Sequence, residues 1–307
     1  MSEDATLTFQ FSTGFLDYVR NLPTVQLVWQ VIGIIFFTVN FLSYLPQPTE
    51  LVTAKSSYGI EPLSFFCESA SNFFLVMNIL CLRSLDFVAF FQYSISRCLS
   101  RLVAFANIFF NWILFLPCVY QLMVFNDREL RPSRGTDSIR RDFFKQSMFA
   151  ILLTLLFMIL LVIWIVLAMQ FGFQQGPSAK FGEVCGTVST VLELLFFIPQ
   201  LITTCRLRDA GSLSLLMLEI QGPSDLCNCL YMIFGTKDHW SSWLTILISS
   251  IEEFILLGTC IVFNCMKARR ARMAEKEMRY QKTLNASIDP LPMWAENELI
   301  EMSDITN

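Results

Sequence analysis

The sequence predicts an all-helical, polytopic membrane protein with seven transmembrane helices: two parallel three-helix bundles joined by one linker helix. Three observations carry that expectation. Of the 307 residues, 54% are hydrophobic and 16% charged, against about 25% charged in soluble domains. The apolar residues gather into seven segments, 26–47, 61–82, 102–125, 147–171, 183–205, 213–234 and 242–265. Each can cross about 30 Å of hydrocarbon at about 1.5 Å per residue. A Pro-Gln pair also recurs at an offset of 153 residues, as Pro46-Gln47 and Pro199-Gln200.

Backbone groups in lipid must be paired within the chain, so each segment reads as a helix. Residues 1–20 are acidic and polar, without the basic start, short apolar core and small-residue cleavage site of a secretory signal. The first helix is therefore expected to be its own insertion signal. The stretch 84–100 (SLDFVAFFQYSISRCLS) is too short to span and is expected to extend the third helix or lie at the interface, with an eighth crossing as the competing reading. All 22 Lys and Arg residues lie outside the spans or at their edges. Sixteen fall on the side of the C-terminal tail: Lys55, the loop from Arg128 to Lys145, Arg206, Arg208 and the run from Lys267 to Lys282. Arg20, Arg83, Arg97, Arg101, Lys180 and Lys237 fall on the other. The positive-inside rule then puts the N-terminus outside and the C-terminus in the cytosol, in agreement with seven crossings.

The expected organisation is an exoplasmic N-terminus at 1–25, a first bundle at 26–125, a basic cytosolic loop and linker helix at 126–181, a second bundle at 182–265 and a cytosolic tail at 266–307. The basic half of the tail, ending at Lys282, suits an anionic lipid surface. Its acidic half, with Asp289, Glu296, Glu298, Glu301 and Asp304, reads as disordered. The sequence ENELI resembles an acidic dileucine sorting signal, with Glu296 one residue too close to Leu299, and points to sorting adaptors as partners of the tail.

Several classes are excluded. A net charge of −4, with no basic stripe interleaved with aromatics, argues against nucleic acid as a partner. Cys67, Cys81, Cys118, Cys205, Cys227, Cys229, Cys260 and Cys265 lie in or at the edges of apolar segments and read as packing residues. Cys227 and Cys229, two apart on a helix, point in different directions and make no metal pair. The single histidine, His239, sits in a polar turn, which leaves zinc and histidine chemistry without support. No nucleophile–base pair or phosphate-binding glycine loop is visible, so no enzyme activity, cofactor or metal is expected.

Carried forward, the offset of 153 aligns Leu63 with Leu216, Ser71 with Ser224 and Asn72 with Asp225. Three crossings, one linker and three crossings make the repeats parallel, related about an axis along the membrane normal. The carriers are LSYLPQPTELVTAKSSYGIEPLSFF and FFIPQLITTCRLRDAGSLSLLMLEIQGPSD. On these residues the chain resembles the PQ-loop family, which includes lysosomal and vacuolar exporters of cationic amino acids, cystinosin and, more distantly, the SWEET sugar transporters. Members show Pro-Gln, a short basic loop and a Gly-Leu-Ser-like start to a helix that ends in Asp. The second repeat follows with Gly211-Ser212-Leu213-Ser214 and Asp225; the first departs from it with Pro48, Pro62 and Asn72. The resemblance implies a carrier of an amino acid-like cation in a vacuolar, lysosomal or other endomembrane.

The buried polar residues address the same question independently. An ionisable group at the bilayer centre costs at least about 2.5–3.5 kcal/mol and marks a functional site by default. Glu68, Glu193, Asp225, Glu252 and Glu253 lie at such depth, with Glu219 nearer the tail side and no Lys or Arg at comparable depth. They must be protonated, hydrogen-bonded or matched by a bound cation. An acid-lined cavity without a base suits a proton-coupled carrier of small cations; the alternative is a structural role, with Asn72, Asn107, Asn111, Gln221 and Ser249 keeping the carboxyls neutral. Residues four apart share a helix face. Glu68 with Asn72, and Gln221 with Asp225, form equivalent faces at the 153 offset, and Asn228 continues the second. Glu252 or Glu253 closes the site from the seventh helix; one of them faces inward, and Ser249 three residues earlier favours Glu252. Pro46-Gln47 and Pro199-Gln200 end the first and fifth helices and read as hinges for alternating access, with static kinks as the alternative. Gly222-Pro223 is expected to break the sixth helix near mid-membrane, and Pro117 to act similarly in the third. The 30 Phe residues read as lipid-facing and packing groups.

The expected function is a secondary transporter of a small cationic solute, coupled to protons through Asp225 and its neighbours. Its alternatives are a lipid scramblase or trafficking protein without solute transport, and a sorting receptor acting through its tail. The orientation predicts that the sequon Asn285-Ala286-Ser287 stays unmodified, so endoglycosidase treatment should leave the gel mobility of the expressed protein unchanged.

Overall fold

The computed structural model describes residues 25–54, 60, 62–92, 95–124, 136–174, 176–208 and 213–288. Outside these lie the N-terminal segment, Lys55, the loop residues Arg128 to Arg134, Gly211-Ser212 and the acidic end of the tail with its ENELI sequence. The described chain is helical: α1 Leu27–Ser43, α2 Pro46–Ala54, α3 Pro62–Gln92, α4 Ile95–Val124, α5 Thr136–Phe171, α6 Gly176–Leu207, α7 Leu215–Leu230 and α8 Trp240–Ile288, with a π-helical turn Tyr231–Thr236 between the last two. Among the described residues, six spans are long and apolar enough to cross a bilayer, the first of them Leu27–Thr53 running through α1 and α2. The seventh expected crossing is α7 with its π turn. It is the most polar of the seven, and α7 alone has 16 residues, too few to cross about 30 Å at 1.5 Å per residue.

Residues up to Cys260 form one compact unit, and Ile261–Asn307 form a second. In the first unit the repeats share one plan. In the first repeat, α4 lies against both α1 and α3. In the second, α8 stands between its partners in the same way: Thr245 and Thr190 of α6 are hydroxyl to hydroxyl at 2.7 Å, and Ser250 donates to the Gly222 carbonyl of α7 at 2.8 Å. The repeats meet where α3 packs on α6 and, equivalently, where α7 packs on α1. The linker α5 borders α3, α6 and, through Phe157 on Trp112, α4, and is otherwise largely exposed, as its position between the bundles and its apolar sequence require.

Small residues permit the close α3–α6 crossing. A Cβ on Gly182 would lie 2.7 Å from Cys81 Cβ, and one on Gly186 would lie 2.6 Å from Asn78 Nδ2 and 2.6 Å from the Ser241 carbonyl. Asn78 exploits the approach: its amide donates to the Gly182 carbonyl at 2.8 Å and to Ser241 Oγ at 2.9 Å, and accepts from Ser242 Oγ at 2.6 Å. Small side chains with hydrogen bonds across them are how helices associate without a hydrophobic drive between them.

Four local expectations are corrected. The Pro-Gln pairs do not end their helices. Pro46 opens the nine-residue α2 after a break at Tyr44 and Leu45, a first-turn position where a missing N–H costs nothing. Pro199 lies inside α6, which continues to Leu207. The stretch 84–100 is shared between α3, which runs to Gln92, and α4, which starts at Ile95. Buried Asp86 and an edge-on Phe87–Phe105 contact hold the α3 extension, which departs from helical geometry at Arg83 (φ −127°, ψ 15°). Gly222-Pro223 does not break α7, which runs on to Leu230; the irregularity falls later, in the π turn. Pro117 likewise lies inside a continuous α4.

Gly186→Ala should overpack the crossing by about 1–3 kcal/mol and lower the thermal unfolding midpoint of detergent-purified protein. Gly258→Ala, where an added Cβ meets nothing within 4 Å, should leave it unchanged or slightly raised.

Candidate solute site

The two repeats converge on a polar cavity in the first compact unit. Glu68 and Asn72 of α3, Asn111 of α4, Glu193 of α6, Asp225 and Asn228 of α7, and Thr245 and Ser249 of α8 line it, with Tyr44, Leu75, Ile108 and Ile246 completing the wall. It is small: water-sized groups have about 20 Å³ in which to sit. None of these residues is Lys, Arg or His. The wall also obeys the repeat. Asn72 and Asp225 are 153 apart, as are Leu75 and Asn228; Ile108 with Ile246, and Asn111 with Ser249, are 138 apart. The smaller offset reflects 15 more residues between the second and third helices of the first repeat, where α3 runs on to Gln92.

The acids are held by amides and hydroxyls from the opposite repeat. Asn40 of α1, wholly buried, donates through Nδ2 to Asp225 Oδ1 at 3.0 Å and to Asn107 Oδ1 at 3.1 Å. Ser71 of α3 donates to Glu193 Oε2 at 2.6 Å, and Ser189 Oγ, one turn before Glu193, donates to the Ser71 carbonyl at 2.8 Å. Asn40 and Glu193 are themselves 153 apart. The two links are therefore near-equivalents about the pseudo-twofold axis, each joining a first helix to the second helix of the other repeat, with Ser71 acting in place of Asn72, the counterpart of Asp225. The first repeat contributes the amides Asn40 and Asn72; the second contributes the acids Glu193 and Asp225.

Four sequence-nominated residues, Glu68, Asn72, Asp225 and Asn228, thus meet in one cavity. Gln221 is buried one turn from Asp225 and donates to the Tyr44 hydroxyl at 2.7 Å, supporting the wall from behind. Glu252 does not close this cavity. It lies beside a neighbouring chamber lined also by Glu253, Gln47 and Gln200, and Ser249 and Thr245 occupy the place expected for it. The expectation that one of the two adjacent glutamates faces inward also fails: α8 passes between α6 and α7, and both carboxyls reach the chamber. Sequence reasoning missed Asn40, Ser71 and Tyr44 as site residues, and counted Glu193 among the buried acids without placing it at the site. Running the offset backward from Glu193 to Asn40 would have found the first pair.

Two further cross-repeat links bracket the cavity. On the Pro-Gln side, Gln47 Oε1 accepts from the Ser214 N–H at the start of α7 at 2.8 Å. On the opposite side, Arg83 of α3 donates through Nε to Asp238 at 2.7 Å and through Nη2 to the Thr236 carbonyl at 3.2 Å. Asp86 accepts from Arg101 at 3.1 Å and faces Arg83 at 3.4 Å. Two arginines and two aspartates thus form a neutral, largely buried cluster between α3 and the 237–239 loop.

The PQ loop repeat family model matches the chain twice, over residues 28–88 and 181–241, the same 153 residues apart. The chain is a two-repeat PQ-loop protein. No curated protein matches it significantly. Within this PQ-loop protein each matched region carries its Pro-Gln motif and one partner of each link, so the links tie one repeat to the other.

Asn40→Ala would leave Asp225 and Asn107 without their shared donor, at a cost of about 1–3 kcal/mol. Thermal unfolding should show a lower midpoint than for Thr38→Ala, whose exposed hydroxyl bonds only the Ile34 carbonyl of its own helix.

Proposed function

We propose that this PQ-loop protein is a secondary transporter that moves a small cationic solute, of the basic amino acid class, in exchange for or together with protons. One observation carries the proposal: carboxyls from both repeats line a single intramembrane cavity that no basic side chain enters. Burying charge without a partner is costly, so the cavity favours either protons on its acids or a bound cation, and the competition between them is coupling. A neutral solute would leave the acids uncompensated, and an anion would be repelled by them.

Equivalent walls about a pseudo-twofold axis suit alternating access, in which two similar bundles rock around a fixed site. The Gln47–Ser214 link and the Arg83–Asp238 cluster span the repeats on opposite sides of the cavity; releasing one while keeping the other opens one face at a time. Pro46 and Pro199 lie beside the first of these links and supply the bend. The charge count of the loops supports a cytosolic Pro-Gln side and tail, and the family resemblance favours an endomembrane of the vacuole or lysosome, with the tail open to sorting adaptors. The site binds and releases; no chemistry on the solute is assigned to it.

A scramblase would need a polar groove open sideways to lipid, whereas the polar side chains here face a cavity between the bundles. The test is uptake of labelled lysine, arginine and histidine into proteoliposomes under an imposed pH gradient, with a fluorescent phospholipid followed in parallel. Gradient-driven uptake of a cation, lost in Asp225→Asn, is expected. Lipid movement without solute uptake would sink the proposal.

A further inference from the structure

The chamber beside the central cavity, between the two Pro-Gln motifs, differs from it in chemistry. Water-sized groups have about 40 Å³ in which to sit there, about twice the room of the central cavity. Phe65 and Phe115 of the first repeat and Phe196 and Phe197 of the second form much of its wall, with Met217 and Leu256. Into this largely apolar box project Glu252 and Glu253, while Glu68 and Ser249 are shared with the central cavity. Glu252 is 5% exposed, and neither of its carboxyl oxygens has a hydrogen-bond partner among the described residues; the same holds for Glu253 Oε2. Asp225 and Glu193, by contrast, have their amide and hydroxyl donors.

A buried carboxyl without a donor needs a proton or a cation. An inorganic divalent ion is a poor occupant, since it requires several converging oxygens, and no group of three or more His, Cys, Asp or Glu among the described residues is arranged to hold one. Phenylalanine faces attract ammonium groups and also bury carbon. The two Pro-Gln amides, Gln47 and Gln200, add polar groups at the wall.

We propose that this chamber is a second binding site, for an organic cation with an apolar body, whose ammonium group sits on Glu252 and whose carbon body packs against the phenylalanine wall. The site is distinct from the central cavity and does not depend on which solute that cavity carries. Its ligands are amphipathic amines. A strongly hydrophilic cation would leave the aromatic wall uncovered, and a neutral aromatic would leave Glu252 unmatched. Because the chamber lies between the Pro-Gln motifs and shares Glu68 with the central cavity, an amine lodged there stands where a solute would pass on that side.

The test is calorimetric titration of the full chain in phosphatidylcholine nanodiscs with 2-phenylethylammonium, with 2-phenylethanol as the neutral counterpart. The ammonium should bind at least about tenfold more tightly than the alcohol. Glu252→Gln should weaken ammonium binding about tenfold or more, and Met217→Trp, which fills the chamber and leaves every carboxyl in place, should abolish it. Asp225→Asn should change it less than about threefold. Equal binding of ammonium and alcohol, no binding, or binding unaffected by Glu252→Gln in monodisperse protein would overturn the proposal. Loss of binding in Asp225→Asn as large as in Glu252→Gln would place the amine in the central cavity, overturning the second site while leaving the transporter reading intact. Should Glu252→Gln not fold, Met217→Trp decides: unchanged binding there rejects the chamber.

Discussion

Lipid offers no hydrogen bonds, and every polar group within the bundles must be satisfied by another part of the chain. That constraint organises this molecule. Glu68, Glu193 and Asp225 are confined to the bundle interior, and the two repeats are tied by groups that satisfy two of them. Asn40 on Asp225 and Ser71 on Glu193 are the clearest case. Each link is at once a solvation device for a carboxyl and a strut between bundles. Removing a donor therefore loosens the inter-repeat contact and changes the protonation chemistry of the cavity together.

The exchange of acid and amide between repeats gives the cavity polarity without destroying its symmetry. Two identical repeats would place four acids or four amides around the axis. Here Asn40 and Asn72 face Glu193 and Asp225, while Glu68 and Gln221 reverse the order one turn away. The backbone plan stays twofold, as equivalent pairs along the wall demonstrate, but the charge is lopsided. A carrier can use such lopsidedness, because a cation in the cavity then has a preferred orientation against the acids of one bundle and the amides of the other.

Much of this was legible in the residues, for reasons that also explain the failures. Hydropathy marks helices because lipid forces helical pairing, so the crossings and the linker were readable, while the polar seventh crossing is marginal on its own. A fixed offset marks equivalent positions, so Glu68, Asn72 and Asp225 could be assigned to matching faces. Depth along a helix is less legible: Ser249 and Glu252 share a face of α8, yet Ser249 lines both spaces while Glu252 lines only the chamber, since a helical face carries no information about where the neighbouring helix ends its contact. Proline was misread because the rule that it ends helices holds for water-exposed chains. Pro199 and Pro223 keep their helices, since a helix in lipid has no alternative partner for its backbone. Asn40 escaped notice because an amide inside an apolar segment stands out far less than a carboxylate.

The central claim is that a carboxyl and an amide paired across the repeats, rather than a carboxyl at one fixed position, make the coupling site. The most direct measurement exchanges the two groups in one chain, Asn40→Asp with Asp225→Asn, and compares gradient-driven uptake in proteoliposomes with the wild type and with Asp225→Asn alone. The account predicts that the exchanged chain recovers uptake to within about tenfold of wild type, because the pair and its cavity are retained. An exchanged chain as inactive as Asp225→Asn, although monodisperse and equally stable, would contradict it.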